Sequence, residues 1–229
     1  MSSRPFLAVL VVAILPGLSH AAEPTATRQF PVANFTGVNV TGADDVVVRE
    51  GPFAVSATGR QEVLDRLQVR VANNMLVVSR KGRVSGRDSS ARITVTMPAI
   101  ASLQLTGAGD VAVQRAAGPR FSARLTGAGN LRIQAVAAQD VRFELTGAGN
   151  LYAAGRSERL SVALSGAGDM DLKALASRDI SVVLNGVGDV DARASGIATI
   201  KANGVGSVSV TGTADCRVTK SMLASVTCG

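Results

Sequence analysis

Residues 105–110 read LTGAGD, residues 125–130 read LTGAGN, and residues 145–150 read LTGAGN again. Looser copies follow as LSGAGD at 164–169, LNGVGD at 184–189 and ANGVGS at 202–207. The first glycine of each copy falls at 107, 127, 147, 166, 186 and 204, so the unit recurs every 18–20 residues. A period of that size marks a solenoid, whose repeats bury their apolar faces only by stacking on one another.

Around each copy the apolar residues alternate strictly, which is the strand signal. Val141, Phe143 and Leu145 point one way and Arg142, Glu144 and Thr146 the other, because successive strand side chains face opposite sides. Alternation resumes after the glycine corner at Leu151, so each unit reads as strand, corner, second strand and a looser return. Superposing the units gives two apolar columns: Leu105, Leu125, Leu145, Leu164, Leu184 and Ala202, and then Val111, Leu131, Leu151, Met170, Val190 and Val208. A leucine-rich repeat shares the period but keeps its leucine and asparagine ladder within one strand and turn. Here a glycine corner divides two strands, which favours an all-β parallel β-helix with about 20 residues per coil.

The regular array occupies 105–229 and a less regular, β-rich lead-in occupies 28–104. Val46–Val48, Leu67–Val71, Met75–Val78 and Ile93–Thr96 read as strands, Asn73-Asn74 as a hairpin turn, and Gln61–Arg66 as one helical turn. Residues 40–46 (VTGADDV) form an early repeat with Asp44 in place of the second glycine. Residues 81–91 read as a polar loop, and residues 221–226 align with a corner that has lost both glycines, a terminal coil. No linker divides residues 22–229, so they are expected to form one domain.

Residues 1–21 read as a signal peptide: Arg4, then ten apolar residues from Phe6 to Leu15, then Ser19-His20-Ala21 as a cleavage site. Ten residues are too few to span a bilayer. The mature chain is therefore expected to carry no transmembrane segment and to be periplasmic, associated with the outer surface, or secreted. The net charge of +7 is modest, and the chain has six Phe, one Tyr and no Trp. Nucleic-acid binding calls for clustered basic residues interleaved with stacking aromatics, so it is not expected.

The leader, the lead-in ending in ITVTMPAIASLQLTGAGDV, the repeated GAG[DN] corners and the closing pair of cysteines resemble the GIN-domain family (DUF2807), the head domain of autotransporter adhesins. The resemblance covers roughly residues 30–229. It implies a right-handed parallel β-helix in an exported bacterial protein and a role in adhesion, and it carries no catalytic residues.

The corner glycines, Gly107 and Gly109, Gly127 and Gly129, Gly147 and Gly149, Gly166 and Gly168, Gly186 and Gly188, are expected to be structural, through positive φ or close backbone approach. No helix follows them to make a phosphate cradle. Asp110, Asn130, Asn150, Asp169 and Asp189 close the corners as a polar ladder. Turn chemistry alone accounts for such residues; the functional alternative is a ligand-binding face for a surface glycan or another envelope protein. The only histidine, His20, leaves with the leader, which excludes histidine-dependent triads and His-ligated metals. Asp169, Asp171, Asp189 and Asp191 gather in adjacent coils as the one hydrolase or lyase candidate. The chain lacks the aromatic platforms of sugar-cleaving sites, so no catalytic, cofactor or metal site is expected. Cys216 falls in the inward column of Ala101, Phe121, Val141, Leu160 and Ile180, and Cys228 in that of Val113, Ile133, Ala153, Leu172, Ala192 and Val210. In an oxidising compartment such a pair is expected as a disulfide, with buried free thiols as the alternative.

Overall fold

The structure, a computed structural model, describes residues 25–82, 89–212 and 215–229. The leader expected at 1–21 and the centre of the loop expected at 81–91 lie outside the described residues. The N-terminal part comprises β1 (Thr25–Phe30), β2 (Gly37–Gly42), β3 (Asp45–Glu50), β4 (Ala54–Arg60) and α1 (Gln61–Arg66), followed by β5 (Leu67–Ala72), β6 (Met75–Arg80) and β7 (Arg92–Met97). The array follows with β8 (Ser102–Gly107), β9 (Val111–Val113), β10 (Ala116–Leu125), β11 (Leu131–Leu145), β12 (Leu151–Leu164) and β13 (Met170–Leu184). It ends with β14 (Val190–Ala194), β15 (Ile197–Ala202), β16 (Gly206–Thr211), β17 (Asp215–Lys220) and β18 (Ala224–Cys228).

These strands wind into a β-solenoid of about 20-residue coils. Leu125 pairs with Leu145, Leu145 with Leu164, Leu164 with Leu184 and Leu184 with Ala202, all in parallel register. The five leucines from Leu105 to Leu184 have no exposed surface. Across the corner, Val111, Leu131, Leu151, Met170, Val190 and Val208 stack in the same way. Burying a Leu side chain contributes about 1.5–3 kcal/mol, and only stacking on the next coil removes both edges of each strand from water.

The return is more regular than its sequence indicates. β11, β12 and β13 run unbroken from one corner to the next, with a register shift after Ile133, Tyr152 and Leu172. Along β11 the alternation is reset at two outward pairs, Gln134-Ala135 and Gln139-Asp140. These resets turn the strand, so each coil presents three short inward runs to a single continuous core.

The N-terminal coils stack out of sequence order. β2 lies between β6 and β8, and β3 between β7 and β9, all parallel. β1, β4 and β7 pair antiparallel, and β5–β6 is a hairpin whose Asn73 and Asn74 have φ of 50° and 59°, the values that a type I′ turn requires. α1 buries Val63 and Leu64. In the first corner, where Asp44 stands in the second glycine's place, the carboxylate is buried. It accepts hydrogen bonds from Arg80 Nε at 2.8 Å and from the Ala91 amide at 2.7 Å, so the charge is paired and its lone pairs are occupied.

Candidate functional site

The corner ladder is an internal hydrogen-bond stack. The Asp110 amide donates to Asp45 Oδ1 at 3.1 Å, and Asn130 to Asp110 at 2.8 Å. Asn150 donates to Asn130 Oδ1, Asp169 to Asn150, Asp189 to Asp169 and Ser207 to Asp189, at 2.8–3.2 Å. Each side chain therefore satisfies a backbone N–H that the corner would otherwise strand, and the amide between Asp169 and Asp189 offsets their like charge. One oxygen of Asp110, Asp169 and Asp189 is used in this way.

Close approach explains the corner glycines better than conformation does. A Cβ built on Gly127, Gly147, Gly166 or Gly186 would overlap the carbonyl oxygen of the glycine one coil earlier, and the same holds at Gly129, Gly149 and Gly168. None of these seven has a positive φ, whereas Gly188 combines close approach with φ of 139°. Gly107 and Gly109 meet the backbone of Gly42 and Asp44 in the same manner.

Of the four clustered aspartates, Asp169 and Asp189 belong to the ladder, and Asp171 and Asp191 pair with a lysine. Lys173 Nζ lies 3.1 Å from Asp191 and 3.8 Å from Asp171, and the hydrogen bond to Asp191 raises the lysine above its ordinary range. Tyr152 stacks under Arg132, whose guanidinium carbon sits 4.6 Å from the ring centroid. Among the described residues no group of three or more His, Cys, Asp or Glu side chains could hold a metal ion. Cys216 and Cys228 are bonded to each other across β17 and β18, with Cα atoms 6.3 Å apart. Cys216 continues the Ile180–Ala198 column and Cys228 pairs with Val210; at the other end of the first column Ala101 is exposed.

The feature that corner-centred reading misses is an open groove of about 720 Å³ that crosses β10, β11, β12, β13 and β15 at right angles to the chain direction. Five strands at about 4.8 Å spacing give it a length of roughly 19 Å. One wall is the register-matched row Arg120, Asp140, Arg159 and Asp179. The other carries Ser122, Arg142, Ser161, Ser181 and Thr199. The backbone over Phe121, Val141, Leu160 and Ile180 forms the floor, with those side chains turned into the core. The alternating charges at 120, 140, 159 and 179 were the available sequence signal.

Two of the four charges of the first wall, Asp140 and Arg159, pair with each other. A hydrogen bond from Arg159 keeps Asp140 below its usual range, and the same bond raises Arg159. Asp179 is lowered by the Ile197 amide and by Arg178. At the β10–β11 end, partial burial pushes Glu144 up, but the hydrogen bond and charge of Arg142 and the charge of Arg124 outweigh it and hold the carboxyl low. This groove can bind an extended chain through hydroxyl and guanidinium groups. Among the described residues that line it, no hydroxyl is hydrogen-bonded to a carboxylate.

Residues 34–214 match the family described as "Putative auto-transporter adhesin, head GIN domain". The chain belongs to the GIN-domain family. None of the curated proteins matches it. Among solved structures, this GIN-domain chain is similar to a putative adhesin from Bacteroides fragilis NCTC 9343, with 20% identity, a TM-score of 0.86 and coverage of 91% of this chain and 98% of that one. It is also similar to a putative lipid binding protein from Parabacteroides distasonis ATCC 8503 (16% identity, TM-score 0.66, 89% and 95% covered). A third match is a putative adhesin from Parabacteroides merdae ATCC 43184 (13% identity, TM-score 0.65, 89% and 95% covered). At such identities the likeness is one of fold.

Proposed function

We propose that this protein is a noncatalytic, exported surface-binding module of the adhesin type, which holds a surface glycan or another envelope protein in the groove across β10–β15. The observation that carries the reading is the groove itself: five coils long and walled by hydroxyl and guanidinium groups. Membership of the adhesin-head family supports it. Among the described residues no helix is long and apolar enough to cross a membrane, and a leader at 1–21 would place the mature chain, one domain from residue 22 to 229, in the periplasm, on the outer surface or outside the cell. The solenoid is taken as right-handed, the hand that parallel crossovers strongly prefer.

Purified mature protein applied to a glycan array and to whole cells should bind saturably. Ser181→Trp, which places an indole in the groove from an exposed position, should abolish that binding without lowering the melting temperature. Absence of saturable binding, together with a weakened envelope on deletion, would instead make the protein a structural component of the envelope.

A further inference from the structure

We infer that the β10–β11 end of the groove selects an acidic glycan, one bearing carboxylate or sulfate groups along an extended chain. The inference rests on the surface-binding reading above and names the ligand class. Arg120 and Arg142 line that end. Arg124 and Arg142 both pair with the single carboxylate of Glu144; each arginine side chain is about 60% exposed and Glu144 only 15%. Two guanidinium groups on one carboxylate leave a net positive charge facing solvent. The side chain of Arg120, exposed on the opposite wall, forms no hydrogen bond or ion pair with any described residue and acts on Asp140 only through its charge.

The rest of the groove does not cancel this surplus. Asp140 is taken by Arg159, and Asp179 by Arg178 and the Ile197 amide. Beyond them the wall offers the hydroxyls of Ser161, Ser181 and Thr199. A guanidinium presents a planar fork of donors that matches a carboxylate or sulfate bidentately, and hydroxyls suit the neutral remainder of a sugar chain. A neutral glycan would need an aromatic platform. The chain has no Trp, its one tyrosine is stacked under Arg132, and Phe121 is turned inward beneath the groove floor. Charge and hydrogen bonds are what this surface has to give.

The test compares dextran sulfate with dextran, and polygalacturonate with its methyl ester, by affinity electrophoresis of the purified mature protein at physiological salt. Both acidic polymers should retard the protein and neither neutral one should. Arg120→Gln with Arg142→Gln should weaken binding to the acidic polymers about tenfold or more, as expected for loss of two charge-assisted contacts. Arg70→Gln with Arg92→Gln removes the same charge from exposed positions on β5 and β7 and should change binding less than about twofold. An equal loss in both double variants would mean diffuse attraction of polyanions to a basic chain, and would overturn the inference. So would failure of the wild type to bind either acidic polymer. Equal binding of the neutral polymers would leave the groove a glycan site but remove its charge selection.

Discussion

Gly127 lies directly on Gly107, so close that a Cβ on the first would overlap the carbonyl oxygen of the second. The backbone at Gly127 is in a region any residue can adopt, so the constraint is the spacing of stacked coils. Gly127→Ala must push two coils apart where Ala128 also donates to the Gly107 carbonyl at 2.8 Å. We expect a loss of about 3 kcal/mol, at the upper end for overpacking. The exposed Gly118, with φ of 134° and no neighbour within 4 Å of an added Cβ, separates the two causes. Gly118→Ala should cost only about 1 kcal/mol of backbone strain. Urea unfolding of the two variants measures the difference, and equal losses would show that conformation rather than spacing governs the corners.

The Asp44–Arg80 pair ties the first corner to β6. Asp44 is 1% exposed and Arg80 12%, so removing one partner leaves a charge in a poorly hydrated site. Asp44→Ala should destabilise by about 3–5 kcal/mol. Asp44→Gly combined with Arg80→Met restores the second corner glycine and removes the orphaned charge, and it should recover most of that loss. A double variant as unstable as Asp44→Ala would show that the pair's hydrogen bonds, more than its charge balance, hold the N-terminal coils.

The array was readable because its period and its contacts coincide: Leu125 meets Leu145, the residue one repeat away. Alternation placed both apolar columns and both cysteines. The N-terminal stack was opaque for the converse reason. Asp45 bonds the amide of Asp110 across 65 residues, and β6 and β7 insert ahead of β2 and β3, an order that no repeat spacing encodes. Arg80 reaches Asp44 over 36 residues, a partnership set by that insertion. The groove escaped notice because its walls are outward residues, which strand periodicity treats as merely solvated. Only the alternation of sign at 120, 140, 159 and 179 marked them.

Lowered carboxyl groups on the groove wall make stability fall in acid. Arg159 holds Asp140 below its usual range, and the Ile197 amide and Arg178 do the same for Asp179. A group held lower in the folded chain stabilises fully above its unfolded-state value. That contribution disappears as the pH drops from there through the folded-state value. These groups are partly exposed, so the effect is small and screened by salt. Asp140→Asn should melt slightly below wild type at about pH 7, and the gap should close as the pH falls through the carboxylate range. Melting curves taken across that range decide it. A gap that widened in acid would mean that Asp140 is not stabilised by Arg159.

The Cys216–Cys228 bond closes the coil that is least able to hold itself. β17 is paired on one side by β15 and β18 on one side by β16. Their corner has lost both glycines, and Met222 and Leu223 are exposed at 100% and 72%. Cys216, Val226 and Cys228 are only partly buried against the core. A crosslink over 12 residues limits the unfolded chain and contributes about 2–4 kcal/mol. Two features confine its effect: solenoid stability is a sum of local terms, and the coils from Leu131 to Val210 are stacked on both sides. Cys216→Ser with Cys228→Ser should therefore raise amide exchange throughout residues 215–229 and leave the Leu125–Leu184 stack protected. Uniform loss of protection along the array would show that the terminal coil nucleates the whole solenoid. Unchanged exchange at 215–229 would show that β-pairing to β15 and β16 holds the end without the bond.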